Sequence, residues 1–291
     1  VFELRQPRSG GAGGTSAATA QVAPIIALAL GDANADGIID LLTLDARGAV
    51  RRSSAAASSE TRVTEQPDEQ QIATWNGFPV DAAPGTYRIS LADLDNNGGL
   101  DLVAAGGGAS RLWLADERGA LESLPAASDT EISSVLDLNA DGMLDLVGVS
   151  AGRPVRLLAR GTQPYHWQVI RARATMTLGD QRINAFGVGG EVEIRSGLLL
   201  QKQLLTGAPV HVGLGTRAAV DVARFVWPNG VVQAEFDLRV DQPVVAEQRL
   251  KGSCPWVFAY NGEEMGFVTD FLWRSPLGLR INAQDTAGVT E

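Results

Sequence analysis

One acidic pattern, written three times into the first half of the chain, restricts its fold more than any other feature. The copies run from Asp32 to Asp40 (DANADGIID), from Asp93 to Asp101 (DLDNNGGLD) and from Asp137 to Asp145 (DLNADGMLD). Each reads D-x-[DN]-x-[DN]-G-x-x-D and passes directly into two aliphatic residues. The second and third copies start 44 residues apart, the first and second 61. The additional length corresponds to a Ser/Ala/Glu/Gln-rich insertion between about Arg52 and Gln71, predicted to be a long surface loop.

The surroundings repeat as well. A short apolar strand is predicted to enter each loop (Ile25 to Leu30, Tyr87 to Leu91, Ile132 to Leu136), and another leaves it (Leu41 to Leu44, Leu102 to Ala105, Leu146 to Val149). A Gly-containing turn and a further strand follow in the second and third copies (Arg111 to Leu114, Val155 to Leu158). Several strands per unit of about 44 residues is the spacing of a β-propeller blade. With 33 Gly and 13 Pro between short aliphatic segments, the whole chain reads as all-β.

The loops have the chemistry of a hard-cation site. Calcium takes six to eight oxygen ligands, and alternation of carboxylate and amide residues sends every second side chain inward. The expected ligands are Asp32, Asn34, Asp36, Asp40 and the Ile38 carbonyl in the first loop. In the second they are Asp93, Asp95, Asn97, Asp101 and the Gly99 carbonyl, and in the third Asp137, Asn139, Asp141, Asp145 and the Met143 carbonyl. Gly37, Gly98 and Gly142 permit the sharp turn. An EF-hand is excluded, because its twelfth-position Glu is replaced by Thr43, Ala104 and Gly148. Closure by Asp at the ninth position suits a β-hairpin loop. Asp, Asn and Gly also make ordinary turns, but three loops keeping the same five positions ask for more than a turn. About three Ca²⁺ ions are expected.

Charge and composition exclude other classes. A formal charge of −10 with scattered basic residues argues against nucleic-acid binding. The nine loop carboxylates account for most of that charge. A single cysteine, Cys254, rules out an intrachain disulfide and reads as a small buried apolar residue. Two histidines, His166 and His211, leave little material for a zinc site or a nucleophile–base pair, and His211 reads as a packed, hydrogen-bonded side chain. No run approaches the roughly 18 apolar residues of a membrane helix.

Beyond about Arg182 the texture changes. A Gly-rich turn, Asn184 to Gly190, leads into an alternating strand; then come Leu198 to Leu205, His211-Val-Gly-Leu-Gly215, Val220 to Trp227, Pro228-Asn-Gly230 and Val231 to Leu238. Asn229-Gly230 predicts a hairpin, within a compact β-sandwich or barrel. The Gly-rich turn is followed by a strand, so it lacks the helix N-terminus that would cradle phosphate. Asn261-Gly262 predicts another hairpin, between aromatic-rich strands.

The acidic loops resemble FG-GAP/VCBS repeats of integrin α-like propellers. The motifs at Asn184–Gly190, His211–Gly215 and Trp227–Gly230 are similar to those of the ASPIC/UnbV domain that follows such repeats in cartilage acidic protein and its bacterial homologues. Gly190 stands where that family usually has Ala. The resemblance implies a partial propeller of about three blades followed by a small β-sandwich or barrel. It divides the chain into a flexible segment 1–21, propeller repeats 22–165, an ASPIC/UnbV-like domain 166–248 and the start of a further β segment 249–291. Three blades cannot close a ring, so a fragment of a longer protein is expected. The implied role is a calcium-binding extracellular, periplasmic or cell-surface scaffold of the adhesion type, recognising a protein or glycan, with no catalytic residues. The alternatives are a propeller-based hydrolase or lyase acting on polysaccharide, and a purely structural part of an exported protein.

Overall fold

The computed structural model describes residues 23–54, 68–79, 82–124, 129–161, 163–174, 183–248 and 256–270. The expected flexible segment 1–21, the middle of the insertion and most of 249–291 lie outside them. Among the described residues all regular structure is β, and no helix is long and apolar enough to cross a membrane. Among these residues the strands form six small sheets, none of which closes on itself.

The three acidic repeats make the first three sheets. The first contains β1 (Ile25–Gly31), β2 (Asp40–Asp45), β3 (Ala49–Ser54) and β4 (Asp68–Thr74), in that order. The second contains β5 (Tyr87–Ala92), β6 (Asp101–Gly106), β7 (Ala109–Ala115) and β8 (Leu121–Ser123). The third holds β9 (Glu131–Leu136), β10 (Asp145–Ser150) and β11 (Arg153–Leu157). All neighbours are antiparallel. Both ends of the insertion are strand, since Ser54 pairs with Asp68; the expected surface loop otherwise falls on 55–67, outside the described residues.

These sheets stack in series through two apolar layers. Leu42, Leu44, Val50 and Trp75 of the first meet Ile89, Leu102, Ala104 and Trp113 of the second. Val103, Ala105 and Leu112 on the opposite face of the second meet Ile132 of the third. Strand β6 is therefore buried along its whole length, which explains why its sequence lacks the polar alternation of a half-exposed strand. Complete burial of one Leu of this kind is worth about 1.5–3 kcal/mol.

A second unit follows. One sheet has the order β15-β12-β18, from Val210–Gly215, His166–Arg173 and Gln242–Glu247, with β12 and β18 parallel. The other has the order β14-β13-β16-β17, from Leu199–Leu204, Glu191–Ser196, Ala219–Val226 and Val232–Arg239. Both contribute to one core, containing Ile170, Ile194, Val212, Leu214, Phe225 and Trp227. The Asn229-Gly230 turn joins β16 to β17 as expected. Trp227, 1% exposed and with its Nε1 donating to Gln233, packs so closely on Gly187 that a Cβ there would lie 2.8 Å from the indole. The sequence motifs of this unit are thus packing devices. A last hairpin, β19 (Trp256–Tyr260) with β20 (Met265–Asp270), carries the Asn261-Gly262 turn.

Candidate metal centre

Each acidic loop joins the first strand of its sheet to the second. Gly31 pairs with Asp40, Ala92 with Asp101, and Leu136 with Asp145, so the three nine-residue patterns are hairpin loops. Their backbones are alike. The fourth and sixth positions are left-handed in every copy: Ala35 and Gly37 (φ 57° and 80°), Asn96 and Gly98 (61° and 101°), Ala140 and Gly142 (59° and 82°). Gly suits the sixth position because it lacks the Cβ that opposes this conformation.

The carboxylates at either end of the pattern hold this turn by hydrogen bonds. The first accepts the sixth amide: Gly37 N to Asp32 Oδ2 at 2.9 Å, Gly98 N to Asp93 Oδ2 at 2.8 Å, Gly142 N to Asp137 Oδ2 at 2.9 Å. The ninth accepts the second amide: Ala33 N to Asp40 at 3.0 Å, Leu94 N to Asp101 at 2.6 Å, Leu138 N to Asp145 at 3.0 Å. The other oxygen of the ninth carboxylate reaches a residue at the far end of the third strand or just beyond it, taking the Ser54 hydroxyl, the Ala115 amide (2.7 Å) or the Ala159 amide (2.7 Å). Asp40, Asp101 and Asp145 are wholly buried.

Every loop also contains a side-chain oxygen that is buried and has no hydrogen-bond partner: Asn34 Oδ1, Asp93 Oδ1 and Asp137 Oδ1. An unsatisfied buried acceptor costs about 1–3 kcal/mol, and a cation would remove that cost. The second loop gathers its acids most closely. Asp93, Asp95 and Asp101 each present an oxygen within 4.8 Å of the others, the one such acidic group of three among the described residues. The first and third loops carry Asn where the second has Asp95, and there Asn34 and Asn139 each donate at 2.8 Å to the fifth-position Asp36 and Asp141. Asn97 instead donates to Asp95 Oδ2 and to the Ala115 carbonyl, and its own Oδ1 accepts the Gly99 amide at 2.6 Å. Ile38 and Met143 donate their amides to Asp36 and Asp141.

The electrostatics follow from burial. Removal from water pushes the Asp32 carboxyl up to about 6 and that of Asp101 up to about 7. It raises Asp95 and lifts Asp93 well above the usual range, where the Asp101 charge adds to the effect. Carboxylates crowded together out of water favour protonation, and a divalent cation would reverse that preference. All donors are oxygen, with no Cys or His among them, which suits a hard ion better than zinc.

The sequence did not reveal what lies on top of the loops. A Cβ on Gly37 would lie 3.0 Å from Leu200, one on Gly98 would lie 2.8 Å from Leu199, and one on Gly142 would fall inside the Trp167 indole. All three turn glycines thus carry the second unit. His211 Nε2 lies 2.7 Å from Asn96 Oδ1. Burial pushes the His211 ring down to about 4, so it is neutral at physiological pH with the proton on Nε2. His166 Nδ1 meets Asp241 Oδ2 at 2.6 Å, a pairing between residues 75 apart with no local sequence signal. No protein-family model matches the chain, and no curated protein matches it.

Proposed function

We propose that the chain is a cation-stabilised β-scaffold, with a divalent ion, calcium by its donor set, in each of the three acidic hairpin loops. The observation that carries this reading is the second loop, where buried Asp93 and Asp101 and half-buried Asp95 converge and one Asp93 oxygen is left without a partner. Asp93, Asp95, Asn97, Asp101 and the Gly99 carbonyl would hold the ion there. Asp32, Asn34, Asp36, Asp40 and the Ile38 carbonyl, and Asp137, Asn139, Asp141, Asp145 and the Met143 carbonyl, would hold the others. The bound charge would offset carboxylate repulsion and lock the turn between two strands.

The stacked sheets are read as consecutive blades of an FG-GAP/VCBS-type propeller outside the cytoplasm, presenting a surface to a protein or glycan. Repeat-equivalent positions support this. Leu28 and Leu41 at one end of the stack are 63% and 40% exposed, whereas Ile89 and Leu102, 61 residues on, are buried. Val149 at the other end is 47% exposed, whereas Ala105, 44 residues earlier, is buried. The end faces thus keep apolar residues where the internal joints bury them. The 570 Å³ cleft beside the third loop has one carboxylate, Asp137, among the described residues that line it.

Calcium titration of chelator-treated protein, by calorimetry and thermal melting, tests the cation reading. About three ions should bind. Saturation of one site at a hundredfold excess over its Kd adds about 2.7 kcal/mol, and the melting temperature should rise. Asp141→Ala should remove one ion. The absence of both binding heat and a melting shift at millimolar calcium would refute the reading.

A further inference from the structure

We infer that the second acidic loop is a composite site, shaped jointly by its own repeat and by strand β15, so that cation binding to this loop and docking of the second unit are thermodynamically linked. This rests on the cation reading above and adds its regulation.

Asp93 differs from the first-position aspartates Asp32 and Asp137. Its Oδ2 accepts two amides, Gly98 N from its own loop (2.8 Å) and Gly213 N from β15 (3.0 Å). Those bonds occupy Oδ2 and leave the buried, partnerless Oδ1 as the oxygen available to an ion. Three further bonds clamp the same loop: Gly215 N to the Asn96 carbonyl (2.8 Å), His211 Nε2 to Asn96 Oδ1 (2.7 Å), and Gln201 Nε2 to the Gly98 carbonyl (3.0 Å). Within the His211–Gly215 motif, alternate residues therefore face the loop. Gly213 must be glycine, because a Cβ there would overlap Asp93 Oδ2 and the Asn96 backbone.

A cation that fixes Asp93 through Oδ1 orients Oδ2 for Gly213, and a docked Gly213 orients Oδ1 for the cation. The same factor must appear in both directions. Undocking would leave a carboxylate free to turn away from Asp95 and Asp101.

The test combines calcium calorimetry with amide hydrogen exchange at Gly213 and Gly215 in the full chain. Calcium should slow both amides about tenfold, and Gly213→Ala should weaken one site about tenfold, a coupling of ordinary size between linked sites, while the remaining sites keep their affinity. Gln201→Ala, which removes one clamp without inserting a wedge, should weaken the same site several-fold and serves if Gly213→Ala does not fold. Calcium binding at full stoichiometry, with unchanged exchange and unchanged affinity in a folded variant, would overturn the linkage and leave the cation reading standing. Absence of any binding would overturn both.

Discussion

A buried carboxylate can be stabilised by amides, by a cation or by a proton, and the acidic loops combine these at neighbouring residues. The ninth-position aspartates are amide-held: Asp145 takes Leu138 N and Ala159 N on separate oxygens. Asp145→Asn would turn an NH2 toward one of those donors and should cost about 1–3 kcal/mol in chelator, measurable by denaturant unfolding. Asp45 is a case without any metal role. Burial pushes its carboxyl up, but the Arg51 hydrogen bond and the Ala49 and Arg47 amides outweigh this and hold it below the ordinary 3.8. Its contribution to stability is therefore complete above that ordinary value and is lost as pH falls through the lower folded-state value. Asp45→Asn should lower stability at neutral pH and flatten the acid limb of the stability–pH curve. An unchanged acid limb would count against this assignment.

At the scale of the element, the hairpin loop is a backbone with two left-handed positions, only one of which is glycine in every copy. Ala140 takes φ 59° with a Cβ, a conformation that costs a non-glycine residue about 1–2 kcal/mol. Ala140→Gly should consequently gain up to about 1 kcal/mol after the extra chain entropy of glycine. Gly142→Ala two residues later should lose more than that, because the new Cβ meets both a left-handed backbone (φ 82°) and Trp167. Paired thermal melts of these variants would show opposite shifts, and a loss for both would disprove the strain argument. The strand flanks and the sixth-position glycine were legible in the sequence because alternation, turn residues and spacing are local. The fourth position was not, since Ala gives no sign of a left-handed turn.

For the whole molecule, two kinds of joint differ in weight. The layer between the first two sheets is apolar and closed; Leu44, fully buried there, should cost about 2–5 kcal/mol on replacement by Ala. The joint between the repeats and the second unit has a polar rim, where Arg217 Nη1 and Nη2 each donate to Glu117 at 2.9 Å. Both side chains remain partly in water, so Arg217→Ala should cost no more than about 1 kcal/mol, and less at high salt. Double-mutant denaturation with Glu117→Ala would measure that coupling.

By itself the sequence determined the all-β class, the three acidic hairpins and the NG turns, because each depends on residues within a few positions of one another. It read His211–Gly215 as a family-like motif with a packed, hydrogen-bonded His211, and the sixth-position glycines as turn residues. Only the tertiary fold placed that motif against Asp93, 120 residues away, and set Trp167 and Leu199 on the loop glycines. It also singled out the second loop as the tightest acidic cluster. A glycine kept free for a turn and one kept free for a neighbouring strand are identical in sequence, so packing between distant segments had to decide which it was.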